Sequence, residues 1–372
     1  MKIRERRTNL SKKRENGRIS IFQVALIFFS LIFLIVYLFA VDGVSSLYLL
    51  IRPRYAGMIF LAALCMVVYW LAESTVLYLS MRSSSTHLSF GSIFRISMIG
   101  QYFNTVTPFS TGGQPALAYQ LHKKGVSYGS AISGLFFKFL IYQLTLTGYC
   151  AVMLFLRFRS FREEQGNFVF LVLAGFAVQV FVSGLLLSAA FFKKTTTAAA
   201  VKIIDLLGRL RILKKTEEKK ESVRAEIGHF HLQCKDAFRH KKRIVAALAV
   251  TLVQLTAYYL IGYILHCCFR EDSVNFFMII ASQTFIFLVS SYIPIPGGVG
   301  TMEGSFYLFF KMYFPSSVLS LVIFLWRILT FYLPLLTGLF FLVTGKKKTD
   351  KESLHQDEPA PEPGLSEGKT AV

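Results

Sequence analysis

Hydrophobic side chains fall along this chain in long, nearly unbroken runs, not in the alternation of strands or the narrow stripes of surface helices. Residues 20–41, 56–81, 127–156, 168–192, 244–269 and 318–344 form six such runs, each of 22 residues or more. A helix rising 1.5 Å per residue needs roughly 20 apolar residues to cross a bilayer's hydrocarbon core. Six spanning helices are therefore predicted. Two further apolar stretches, 92–119 and 276–314, are cut by proline and glycine. The expected fold class is an all-α polytopic membrane protein, with about six spans plus two broken or re-entrant helical segments.

Composition agrees with the runs. Of 372 residues, 54% are hydrophobic and only 17% charged, and 37 are Phe; a soluble domain carries more charge. The basic start of the chain resembles the n-region of a cleaved signal peptide, but the run at 20–41 exceeds a usual h-region and lacks a small-x-small exit. A retained span is expected. The net charge of +20 raises nucleic acid as a partner, yet its placement points elsewhere. Eight basic residues precede the first run, and fifteen against six acidic ones lie in 193–243. Basic segments beside spans mark the cytoplasmic side and anionic headgroups. The five cysteines form no CxxC pair and no disulfide framework.

With the N-terminus inside, the spans can be threaded so that the 193–243 linker and Lys346, Lys347 and Lys348 are also cytoplasmic, provided each broken segment returns to the face it entered from. Arg157, Arg159 and Arg162 then fall outside, beside Glu163 and Glu164. The threading contains a repeat. Span 56–81, broken segment and span 127–156 form one unit; span 244–269, broken segment and span 318–344 form a second, running oppositely. Inverted repeats with discontinuous helices at matching places are a transporter pattern and point to the substrate site. The expected layout is a basic cytoplasmic N-terminus (1–19), a transmembrane region (20–344) containing the linker, and a disordered cytoplasmic tail (345–372). Ile203, Leu206, Leu207 and Leu210 at helical spacing make the linker a partly amphipathic surface helix.

The broken segments read NTVTPFSTGGQP from Asn104 and YIPIPGGVGTME from Tyr292. Proline ends a helix and glycine permits the reversal. Broken backbone at membrane depth must face protein or a watery cavity. Helices restarting after Gly112, Gly113, Gly297, Gly298 and Gly300 would present N–H donors suited to a phosphate. The plainer reading is a pair of loops outside the bilayer, which matching positions in two opposed units disfavour. Glu73, Lys138 and Arg327 lie inside spans, and Glu303 follows the second glycine cluster. Lys138 and Arg327 trail their units' Gly-Gly pairs by 25 and 29 residues. Intramembrane charges face a cavity or a partner: cations for a phosphate and carboxylates for an amine would suit a zwitterionic headgroup, whereas a Glu73–Lys138 pair would merely lock helices. His229, His231 and Cys234 match no standard zinc spacing, and no GxSxG, Walker A, HExxH or GxGxxG element occurs. No metal or cofactor is expected.

The stretch GQYFNTVTPFSTGGQPALAYQLHKKG (100–125) and PIPGGVGTMEG (294–304) resemble the lysylphosphatidylglycerol synthase transmembrane-domain family, the flippase-like membrane half of phosphatidylglycerol lysyltransferase, or multiple peptide resistance factor. Trp326-Arg327 with Tyr332 and Pro334 is similar to that family's last span. The resemblance implies a bacterial cell membrane, a role in antibiotic resistance, and translocation of an anionic or aminoacylated glycerophospholipid such as lysylphosphatidylglycerol. It implies motif positions at Pro108, Gly112, Gly113, Pro294, Pro296, Gly297, Gly298, Gly300, Glu303 and Arg327. Many relatives carry an acidic residue where this chain has Gln114. The alternative activity is lysyl transfer from lysyl-tRNA to phosphatidylglycerol, which needs a synthase domain not expected after Lys346. Expected partners are the phospholipid and the membrane, with no nucleic acid directly; a second copy of the chain or a separate synthase stays open.

Overall fold

A computed structural model describes residues 53–82, 86–165, 168–209, 216–269, 275–290 and 295–356, with isolated positions at 32, 35, 36 and 293. The expected basic N-terminus, most of the span at 20–41, Pro294 and the tail beyond residue 356 lie outside the described residues. All regular structure among the described residues is helical. Five helices are long and apolar enough to cross a membrane, at Arg54–Met81, Tyr128–Arg159, Val169–Phe191, Lys241–Phe269 and Ser316–Thr344. These are the other five runs expected from the sequence.

In chain order the helices are α1 (Pro53–Met81), α2 (Phe90–Val106), α3 (Gly113–Lys123), α4 (Tyr128–Gln165), α5 (Phe168–Phe191), α6 (Lys193–Arg209), α7 (Thr216–Arg239), α8 (Lys241–Phe269), α9 (Phe276–Ser290), α10 (Thr301–Phe310), α11 (Ser316–Arg327) and α12 (Leu333–Gln356). Short 3₁₀ turns, Pro108–Ser110 and Pro296–Gly298, join α2 to α3 and α9 to α10. A π-turn at Ile328–Tyr332 joins α11 to α12.

Two units of the same plan result: α1, hairpin α2–α3 and α4; then α8, hairpin α9–α10 and α11–α12. Contacts along α1 and α8 show that the units are inverted. Tyr55 stacks on Phe269 at 5.3 Å, Tyr69 lies 5.7 Å from Tyr258, and Leu79 and Arg82 share a hollow with His240 and Ala246. The first helices of the two units therefore run antiparallel, side by side. Each broken segment folds back on itself as a hairpin. Thr86 Oγ1 donates to the Gly125 carbonyl at 3.0 Å, which ties the start of α2 to the end of α3. Phe314, just past α10, meets His266 near the end of α8. The two hairpins thus enter from opposite ends of the bundle. Each packs on the other unit's last span, α2 on α12 and α9 on α4.

Small residues permit that cross-packing. A Cβ on Gly338 of α12 would collide with the Met98 carbonyl oxygen and sit 2.8 Å from Tyr102 Cβ, both on α2. Arg95 of α2 donates to the Phe341 carbonyl and to Thr344 Oγ1, each at 3.2 Å. α5 is held to α4 by polar contacts inside apolar helices: Gln179 Nε2 donates to Gln143 Oε1 at 3.2 Å, and Thr147 meets Ser183 at 2.7 Å.

Two expectations change, and one helix proves longer than its apolar run. The linker is not one surface-lying helix: α7 docks on the bundle, with Phe238 against Phe137 and Phe191, and Phe230 against Phe136. α4 continues past its apolar run to Gln165, carrying Arg157, Arg159 and Arg162. α12 runs to Gln356, so residues 345–356, expected to be disordered, are helical. A packed span has already met the nucleation cost, and no proline intervenes before Pro359.

Candidate functional site

Each hairpin tip is built by proline, glycine and a few polar side chains. Pro108 removes a donor and pushes Thr107 out of the helical region, to φ −118°, ψ 146°. Phe109 and Ser110 then adopt positive φ of 53°, a conformation costly for residues with a Cβ. α3 restarts at Gly113, where a Cβ would collide with Asn104 Oδ1. Asn104 Oδ1 accepts from the Gly113 N–H at 3.1 Å, and Thr107 Oγ1 accepts from the Gly112 N–H at 2.8 Å. The second tip turns through Gly297, Gly298 and Gly300, at φ 64°, 62° and 83°. There the Gly300 N–H donates to Glu303 Oε2 at 2.7 Å. The Gly298 N–H donates to the Ile295 carbonyl at 2.9 Å, so four of the glycine N–H groups at the tips are held by the protein itself. The tips touch: a Cβ on Gly297 would lie 3.1 Å from the Thr105 carbonyl and collide with the Phe331 ring. Pro108 and Phe109 at one tip, and Ile295 and Gly300 at the other, keep exposed surface.

A buried ion pair sits at the second tip, and another meets α2 two turns before the first. Arg327 Nε donates to Glu303 Oε1 at 2.6 Å, and its Nη2 to the Gly297 carbonyl at 3.0 Å. Its guanidinium lies over Phe331, 4.5 Å from the ring centroid. The π-turn starts directly after Arg327, where Pro334 cannot donate to Thr330 and the backbone widens instead. In the first unit Lys138 Nζ donates to Glu73 Oε1 at 2.7 Å, and Gln101 Nε2 donates to the other carboxylate oxygen. The four charged residues are only 3–8% exposed. The Glu73–Lys138 pair is the helix-locking alternative raised by the sequence, and it carries the first unit's only carboxylate among these contacts. Gln114 is half-buried and supplies no charge.

At the unit interface lie Tyr69 on α1 and Tyr258 on α8, whose rings are 5.7 Å apart, with Gln254 buried one turn before Tyr258. Sequence reasoning missed Gln101, Gln254 and both tyrosines. An uncharged polar residue inside an apolar run, as at Gln254, was the available signal.

The structure thus brings Pro108, Gly112, Gly113, Pro296, Gly297, Gly298 and Gly300 to the two tips, with Glu303 and Arg327 at one and Glu73 and Lys138 behind the other. Of His229, His231 and Cys234, the His229 side chain lies outside the described residues; among those described, no three His, Cys, Asp or Glu side chains cluster as metal ligands would.

The sequence model of the family described as the lysylphosphatidylglycerol synthase TM region matches residues 20–338. A UPF0104 membrane protein from Archaeoglobus fulgidus is 22% identical over 286 residues, covering 76% of this chain and 84% of that protein. No solved structure matches.

Proposed function

Because the chain belongs to the lysylphosphatidylglycerol synthase TM-region family, we propose that this multi-pass membrane protein carries a glycerophospholipid headgroup across the bilayer between its two inverted units. The observation that supports this best is the meeting of two hairpin tips, one holding a buried ion pair and the other backed by a second pair two turns along α2. A zwitterionic headgroup matches such pairs by exchange. Its phosphate replaces a carboxylate on Arg327 or Lys138, and its ammonium replaces a cation on Glu303 or Glu73. Exchange keeps every buried charge partnered, which offsets much of the desolvation penalty of opening the site. The acyl tails stay in the bilayer. The family's context favours an aminoacylated phosphatidylglycerol, which adds an amine to an anionic headgroup. In this conformation both pairs are shut off, so transport needs the tips to part alternately toward either face. The basic linker end is assigned to the cytoplasm of a bacterial cell, in line with the bias of basic residues.

Reconstituted into liposomes, the chain should speed reorientation of labelled lysylphosphatidylglycerol, and Glu303→Gln or Arg327→Gln should bring the rate back toward that of protein-free vesicles. Full activity in both variants would remove the assigned site. Lysyl transfer is separated by lipid extraction: new lysylphosphatidylglycerol in cells making only this chain would favour the enzyme over the translocator.

A further inference from the structure

We propose that the linker end of the bundle holds a second site, separate from the ion pairs, for an anionic phosphodiester: the headgroup of an acidic phospholipid lying in the leaflet. A hollow of about 280 Å³ opens there between the end of α1 and the start of α8, lined by Leu79, Arg82, His240, Lys242, Arg243 and Ala246. Two guanidinium groups, an ammonium and an imidazole converge on it, and no carboxylate is among its lining residues. α8 starts at this hollow, directly after α7 ends at Arg239, and carries Lys242 and Arg243 into its lining.

The surroundings favour a lipid over a soluble anion. Leu79 and Ala246 make the wall on the membrane side apolar. Below it Val245, Leu252 and Val253 form an exposed apolar strip on α8, spaced at seven and eight residues and thus on one helix face. A headgroup in the hollow could lay an acyl chain along that strip. Basic pockets between spans at the cytoplasmic surface are a recurring way to hold acidic headgroups. The site is distinct from the proposed transport path: Arg82 lies nine residues, about 14 Å along a helix, beyond Glu73. Another hollow, lined by Tyr307, Lys311, Met312, Ser316, Leu319 and Ser320, is larger at about 430 Å³ but has a single cation. It serves as the control.

The test is equilibrium binding of fluorescent phosphatidylglycerol and phosphatidylcholine to the full purified chain in neutral detergent. The chain should prefer phosphatidylglycerol by tenfold or more. Arg82→Gln with Lys242→Gln should remove most of that preference, at roughly fivefold for each cation near the surface. Arg82→Lys with Lys242→Arg should restore it, and Lys311→Gln should leave it intact. The preference should also persist in Arg327→Gln, which disables the proposed transport site. Equal binding of both lipids, or an unchanged preference in the Arg82/Lys242 double variant, would overturn the proposal. So would displacement of the lipid by submillimolar inorganic phosphate, which would make the ligand a soluble anion.

Discussion

Glu303 sits one turn into α10 with both carboxylate oxygens in use, one on Arg327 and one on the Gly300 N–H. Removing either member strands the other in a dry site, a loss typically of about 3–5 kcal/mol. Single substitutions therefore confound stability with function, and the Glu73–Lys138 pair offers a cleaner comparison. Replacing both partners together, Glu73→Leu with Lys138→Met, leaves no stranded charge, and such exchanges are often neutral in stability. The expected outcome is a chain that keeps near-native thermal stability in detergent but loses most lipid reorientation. Retained transport would reduce this pair to a helix lock. The sequence displayed all four charged residues, because each interrupts or abuts an apolar run. It did not display their partners: spacing says nothing about Gln101 meeting Glu73, or about Asn104 and Thr107 occupying N–H groups that would otherwise face a ligand. Those are contacts across a turn or between helices, set by packing.

At the level of elements, the broken hairpins were legible because Pro-Gly clusters inside apolar stretches have few other uses. Their cross-packing was not. Gly338 looks like any glycine in a span, yet α2 lies against it with backbone atoms where a side chain would go. Gly338→Leu should force α2 and α12 apart and cost upward of about 1–3 kcal/mol as an overpacked contact, measured as a lower unfolding temperature; an unchanged temperature would mean the two helices do not pack this closely. The linker was misread for a related reason. Ile203 and Leu206 of α6 do point outward, as an amphipathic surface helix requires, but α7 uses Phe230 and Phe238 to dock on the spans. Cys234 reports on that docking. It is 2% exposed and burial pushes its thiol up to about 12, so little of it is thiolate at pH 8. Alkylation of Cys234 in the native chain at pH 8 should be many times slower than after denaturation, with peptide mass analysis as the readout. Equal rates would show α7 undocked.

For the molecule as a whole, the decisive relation is the antiparallel pairing of α1 with α8, from which the opposed entry of the two hairpins follows. The sequence suggested it through charge bias alone, since the 193–243 linker and the lysines after residue 345 had to share a side. Contacts at both ends and the middle of α1 now carry the same conclusion without reference to charge. The π-turn after Arg327 completes the arrangement by bringing Phe331 against Gly297, so the last span of the second unit grips its own hairpin tip. A headgroup site between two such tips requires that they reach inward from opposite faces, and labelling tests this directly. Single cysteines would replace His87, Lys124 or Lys311 in a chain otherwise free of cysteine, in sealed vesicles of one orientation, and be exposed to a membrane-impermeant maleimide. Positions 87 and 124, at the base of the first hairpin, should label from one face and position 311, at the base of the second, from the other. Labelling of 87 and 124 from opposite faces, or of all three from the same face, would contradict the account.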